Sequence, residues 1–355
     1  MWCPDPRFAD HARKDQAIAV ALHPTFTAPS PRLWPGLRSW SYFGGVGSVG
    51  DFPLGGEGGV GEKRTFLKPD LECAPCIWNW VYERAGLLIS EERRFQLTRS
   101  VLGVLSQEFY TEANVGLISN KITAAIDEFI FNSAEYFEGF KLRSNQLAKE
   151  LLSAARDFIE KGQTPQEKFV RACCLASASN VAPMGVPSEV FKFQEVIHIL
   201  EGKGPLPTVM GDVFKAAQRA NHILYIADNA GEIGFDSLLI AKLKEMGSKV
   251  TLIVKEDPFF EDATMKDIFF FTLDQLVDNI STAKGFFVPS EPTPSLTDSF
   301  KNSDLLIAKG TGNYEALQGE TKGKTTIFML KVKCKPIAMK VGATIGNFVV
   351  KLEKY

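Results

Sequence analysis

The chain has 355 residues, with 40 Lys and Arg against 42 Asp and Glu, a formal charge of −2 and a pI near 6.2. That balance offers no electrostatic footprint for a nucleic acid, and no run approaches the roughly 20 apolar residues needed to span a bilayer. Apolar residues at 45% and charged residues at 23% are the proportions of an ordinary globular protein, and six cysteines are too few for a disulfide scaffold in a chain this long.

Residues 1–66 hold ten of the 29 glycines and seven of the 19 prolines. Such a segment cannot support a packed core, so it is expected to be a disordered extension, or the product of a start assigned too early, with the folded chain beginning near Leu67. The apolar stretch 17–22 is short and flanked by charge, unlike a secretory signal, and a cytoplasmic location is expected. Residues 67–219 form the expected helical domain. Ser90-Glu91-Glu92 is a helix start, followed by Phe95, Leu97, Val101, Leu102 and Leu105 at helical spacing. Similar stripes predict helices over about 117–134, 142–161, 165–180 and 188–201, with Thr164-Pro165 as cap and first helical residue. From 220 to 355 the rhythm is strand, helix, strand. Runs at 223–227, 249–254, 304–308 and 325–330 read as buried strands, and 233–246 as a helix ended by Gly247. The expected class is α/β: a mainly parallel, Rossmann-like sheet with helices on both faces, plus the N-terminal all-helical domain. The Pro-, Ser- and Thr-rich stretch 282–298 is expected as a surface loop.

The ends of these strands carry the chemistry. The first runs into Asp228-Asn229-Ala230-Gly231-Glu232 and the second is followed by Glu261-Asp262. The third leads into Lys309-Gly310-Thr311-Gly312-Asn313-Tyr314-Glu315 and the fourth into Lys331-Val332-Lys333-Cys334. In open α/β sheets, ligands bind beyond the carboxyl ends of the strands. Carboxylate and amide oxygens suit a hard divalent cation, while glycine-rich backbone and lysine suit an anion. The combination points to metal-assisted attack on a phosphate ester. Strand alternation sends Lys331, Lys333 and Lys335 to one face, so pattern alone does not choose between them. Asn145 and Asn180, taken alone, read as caps or turns. Cys73 and Cys76 form a lone C-x-x-C that Cys334 can approach, but a fourth ligand for a structural zinc is not evident. None of the four histidines has ligand spacing.

The blocks ADNAGEIGFD, EDATMKD, AKGTGNYEAL and LKVKCKPIAMKVG resemble the metal-dependent damage-control phosphatases that share the ARMT-like metal-binding domain. The opening Glu72-Cys73-Ala74-Pro75-Cys76 resembles the stand-alone microbial branch. The resemblance covers about residues 67–355. It implies that Asp228, Asn229 and Asp262 are metal ligands, and that Lys333 acts with Asp228 in catalysis by contacting the phosphate. It also implies substrate contacts from Lys141 and Asn145, in a Lys-x-x-x-Asn pattern, from Asn180, and from Lys309, Gly310, Gly312, Asn313 and Glu315. Glu261 departs from the family's usual Asn, and the acid of the block after Asn180 is missing. Hardness favours Mg²⁺ or Mn²⁺, and the resemblance adds Co²⁺ and Ni²⁺. The expected partner is a small phosphorylated metabolite, with no nucleic acid or membrane; oligomeric state stays open. Two other readings remain: a phosphate-binding protein without turnover, and a methyltransferase, against which stands the lack of the glycine-rich loop such a cofactor wants.

Overall fold

The computed structural model describes residues 69–183, 190–321 and 323–354, so the expectations for residues 1–66 lie outside the described residues. The helical part comprises α1 (Cys73–Ala85), α2 (Glu91–Glu108), α3 (Val115–Ala125), α4 (Asp127–Glu160), α5 (Pro165–Ala178) and α6 (Gln194–Leu200). The caps read from sequence are present: Ser90 accepts from the Arg93 backbone N–H, and Thr164 from that of Glu167 with Pro165 at the first helical position. One boundary differs. The helices expected at 117–134 and 142–161 break instead at Ile126, and α4 then runs unbroken for 34 residues. Its buried stripe, Phe137, Lys141, Ser144, Asn145 and Ala148, faces inward across the supposed gap.

The remaining elements are β1 (Thr208–Met210), α7 (Val213–Gln218), β2 (His222–Ile226), α8 (Glu232–Glu245), β3 (Lys249–Lys255), α9 (Met265–Phe270), β4 (Asn279–Ala283), α10 (Pro294–Asn302), β5 (Leu305–Lys309), α11 (Gly310–Leu317), β6 (Thr325–Lys331), α12 (Lys335–Val341) and β7 (Phe348–Glu353). They build one seven-stranded sheet in the order β1-β7-β6-β5-β2-β3-β4. All neighbours are parallel except β6 and β7. The chain leaves β2 outward through β3 and β4, then crosses back to place β5 on the other side of β2. The switch point, where ligands bind in such sheets, therefore lies between β2 and β5.

Both faces of the sheet are covered, and strand alternation divides the core. Ile223, Tyr225, Ile307, Ile327 and Met329 pack toward α4, α5 and α8. Leu224, Ile226, Leu306, Ala308 and Phe328 pack toward α10 and α11 on the other side. A third cluster fills the bundle of α1–α4 and includes Phe259 and Phe260 from the loop after β3. Strand β1, from the segment read as helical, pairs with β7, and the first core cluster runs continuously from α5 into the sheet. The stretch 282–298 is not one loop. It contains the end of β4, the buried Phe287 and Val288, and the start of α10 capped by Thr293-Pro294.

Candidate active site

Asp228 and Asn229 follow β2 directly, and the loop after β3 is stitched against them. Asn229 and Asp262 form an isolated antiparallel bridge. Ala263 N–H donates to Asp228 O at 2.8 Å, and Ala230 N–H to Glu261 O at 2.9 Å. The Asp228 carboxylate is held by two amides, its Oδ2 accepting from Asn180 Nδ2 at 2.8 Å and Asn229 Nδ2 at 2.7 Å. Gly310, at φ +78°, passes so close that a Cβ there would lie 2.0 Å from Asp228 Oδ2. Its glycine freedom makes room for this carboxylate, a role the sequence reading had assigned to an anion.

A cavity of about 320 Å³ opens over this floor. Asp228, Asn229, Asp262, Gly312, Glu315 and Lys333 line it. The other expected contacts do not, because each is engaged behind the floor. Lys309 is fully buried and bonds Glu232 at 2.5 Å and Asp236 at 2.8 Å. Asn180 bridges Asp228 and Glu232, and its Oδ1 accepts from the Lys331 backbone N–H. Lys141 pairs with Asp267 at 3.0 Å, while Asn145 joins Asp267 to the backbone N–H of Gly231. Asn313 donates to Ala227 O and Lys309 O, fixing the turn between β5 and α11. Gly310 lies against Asp228, outside the lining. The three lysines after β6 do not share a face, because the strand ends at Lys331 and α12 begins at Lys335. Lys331 reaches Glu195 at 3.2 Å, Lys335 lies 3.6 Å from Glu72 across the surface, and Lys333 turns into the cavity.

The electrostatics of the floor follow from burial. Burial, then the charge of Glu232, pushes the Asp228 carboxyl up to about 6, against the opposing pull of Lys333 and the Asn180 bond. Burial also holds Asp262 well above the ordinary carboxylate range, although Lys255 lies 3.4 Å away. Burial depresses Lys333, opposed by Asp228 and Glu232. Two neighbouring carboxylates, Asp262 buried and Asp228 half-buried, whose charged forms are disfavoured are what a divalent cation relieves. Two acids and an amide would offer a hard oxygen donor set of the kind that suits Mg²⁺ or Mn²⁺. Among the described residues, no group of three or more His, Cys, Asp or Glu side chains is arranged to hold a metal ion. That covers Cys73, Cys76 and Cys334, which are free thiols lining the same cavity.

Several residues of the site escaped the sequence reading. Glu232 and Asp236 lie one turn apart on α8 and anchor Lys309; the helical spacing of two acids among the apolar residues of the helix's first half was the available signal. Arg84 is fully buried and grips Glu261 with Nε and Nη2, at 2.6 Å for the shortest contact. A lone Arg in an amphipathic helix carries no such signal. Trp80 and Phe286 line the cavity too; Phe286 falls in the stretch 282–298 expected as a surface loop, and Trp80 had no assigned role.

The damage-control phosphatase ARMT1-like domain matches residues 70–349. The chain is 29% identical over 293 residues to an uncharacterised protein of Methanocaldococcus jannaschii, covering 80% of this chain and 94% of that one. It is 27% identical to a damage-control phosphatase of Archaeoglobus fulgidus, covering 79% and 97%. The crystal structure of a DUF89 family protein from Pyrococcus horikoshii superposes with a TM-score of 0.66 at 26% identity, covering 81% of this chain and 99% of that one.

Proposed function

The chain belongs to the damage-control phosphatase ARMT1-like domain family, and from that premise we propose that it is a divalent-metal-dependent hydrolase of small phosphate monoesters. The observation that carries this reading is that Asp228, Asn229 and Asp262 line the same cavity as Lys333, at the switch point of the sheet. Acids repel phosphate unless a cation intervenes, and a methyltransferase has no use for them in this position. Asp228, Asn229 and Asp262 would hold the ion, which supplies Lewis-acid polarisation and charge neutralisation when bound. Lys333 offers positive charge to the phosphoryl oxygens, and the backbone of Gly312 lies on the same wall. Asp228 Oδ2 already accepts two amide hydrogen bonds, which favours its service as a ligand and leaves attack to water. Lys309, Asn180, Lys141 and Asn145 act by positioning: they fix Asp228, Glu232 and the start of α8.

Phosphate release from a panel of monoesters, with Mn²⁺, Mg²⁺, Co²⁺ or Ni²⁺ and with a chelator, tests the proposal. Release that needs the metal and is lost in Asp228→Asn supports it. Tight phosphate-ester binding without release under every metal would favour the non-catalytic reading.

A further inference from the structure

The cavity lining is chemically mixed. Beside the acids and Lys333 it includes the apolar Ile77 and Trp80 of α1, Val115 of α3, Phe286 and Pro336. Three of the remaining polar side chains are engaged within the protein, while Glu72 and Glu315 also line the cavity. Ser119 Oγ donates to Val115 O at 2.9 Å, Thr311 Oγ1 to Lys331 O at 3.2 Å, and Glu261 is held by Arg84. The thiols of Cys73 and Cys76 stay neutral, pushed up by burial to about 11 and about 12. A neutral thiol behaves toward a ligand as a small apolar group.

The aromatic part of the wall is preformed. Asn120 clamps the Phe286 backbone in both directions, accepting from its N–H at 2.7 Å and donating to its C=O at 2.8 Å. Gly285, at φ +73°, allows that clamp, since a Cβ would lie 2.3 Å from Asn120 Oδ1. The Phe286 ring then rests on Gly312, where a Cβ would come within 2.4 Å of it. Lys255 Nζ sits 4.4 Å from the ring centroid, and Phe259 meets the ring edge-on at 5.8 Å. On the opposite element, Trp80 is fixed by Phe260 at 5.3 Å and by the Arg84 guanidinium at 5.1 Å. Such a wall offers a polyol few partners, and hydroxyls buried against it would lose water without replacement. It offers a flat apolar group close contact. At about 320 Å³ the space is at the small end for ligand pockets, enough for a phosphate and one ring system.

Resting on the phosphatase reading above, we infer that the preferred substrate is a phosphate monoester whose leaving alcohol carries an aromatic or comparably flat apolar group, seated against Trp80 and Phe286. Sugar phosphates and other polyol phosphates are the poorer class.

The test compares 2-phenylethyl phosphate with glycerol 1-phosphate, both esters of primary alkyl alcohols, so leaving-group acidity does not decide the outcome. With the full chain and Mn²⁺, kcat/KM should favour the phenylethyl ester by about tenfold or more, the scale of discrimination a hydrophobic pocket supplies. In Trp80→Leu and Phe286→Leu, which keep apolar bulk and remove the rings, that ratio should fall several-fold, chiefly through KM. Non-hydrolysable 2-phenylethylphosphonate should bind more tightly than methylphosphonate by calorimetry, and the difference should shrink in the same variants. Equal or better turnover of glycerol 1-phosphate would overturn the inference and leave the phosphatase reading standing. Phosphate release from neither ester under any of the four metals would overturn both.

Discussion

Lys309 and Lys333 leave the carboxyl ends of neighbouring parallel strands, and both read in sequence as lysines beside a phosphate site. Their surroundings differ completely. Lys309 has no exposed surface and two carboxylates within 2.8 Å; burial works against its charge, but Asp236 and Glu232 outweigh it and hold its pKa above the ordinary lysine range. Lys333 is half-buried at the cavity, where burial depresses its pKa and no ion pair of the described residues closes on it. The acids divide by position rather than by charge: Asp236, Asp267 and Glu232 are bound to lysines or amides inside the protein, whereas Asp228, held by the Asn180 and Asn229 amides, and Asp262, 3.4 Å from Lys255, border the cavity. Burial disfavours the charged form of Asp236 as it does those of Asp228 and Asp262, but only the latter two can be reached from the cavity.

The sharpest way to break this comparison is Asp228→Asn, which keeps shape and the acceptor oxygen but removes the charge. If the floor is built for a cation, metal-dependent turnover should fall by about 10³ or more, since metal stabilisation supplies several kcal/mol and each ~1.4 kcal/mol is tenfold. The metal-free protein should be at least as stable as the wild type, and the rise in melting temperature on adding Mn²⁺ should vanish. A variant that loses stability without metal would place Asp228 with the structural acids instead.

Lys309→Met addresses the other region. It strands Glu232 and Asp236 in the interior, so unfolding free energy by denaturant titration should drop by about 3–5 kcal/mol. Removing one partner of a buried pair costs far more than the pair itself contributes. Near-normal stability would mean that Lys309 is not structural, and would return it to the substrate.

Lys333→Ala should do the reverse. Turnover should fall by about 10²–10³, the scale of one preorganised electrostatic donor, with stability unchanged or slightly raised because a depressed, half-buried ammonium is gone. Inorganic phosphate should inhibit the variant more weakly. Lys331→Ala and Lys335→Ala, whose side chains reach Glu195 and Glu72, should retain nearly full activity.

These contrasts explain what was legible in the sequence. The four central strands were, because burial on both faces writes an unbroken apolar run such as Leu305-Leu306-Ile307-Ala308. The edge and terminal strands were not. β1 has three residues, β4 (NISTA) is half-exposed and polar, and β7 (FVVKLE) buries only Val349 and Val350 fully beside its antiparallel neighbour. The family resemblance singled out Lys333 from Lys331 and Lys335, and strand-end position pointed to Asp228, Asn229 and Asp262 as cavity groups. It could not separate Lys333 from Lys309, since the difference lies in Glu232 and Asp236 approaching from α8, a tertiary contact with no local signature. Gly310 shows the same limit: the residue type announces a close backbone approach, but not that the neighbour is the protein's own carboxylate.

The smallest expected effect concerns Glu315, which lines the cavity from α11, the helix that follows β5. Burial pushes its carboxyl up to about 7 from an ordinary 4.5, with Lys333 pulling the other way. An acid whose folded pKa exceeds its unfolded value binds its proton more tightly in the native state. Between about 4.5 and about 7 the native chain thus holds more protons than the unfolded chain, and stability falls as pH rises through that window. Below it both states are protonated at this group, and the contribution it makes relative to high pH is fully present. Glu315→Gln is permanently neutral and lacks this dependence. The difference in melting temperature between variant and wild type, measured without metal from pH 4.5 to 8, should therefore grow in the variant's favour as pH rises and level off above about 7. Lys333→Ala removes the cation that opposes the shift, so in that background the levelling should move to still higher pH. A difference that stays flat across the range would show that Glu315 ionises in both states alike, and would move it from the desolvated cavity wall to ordinary solvent.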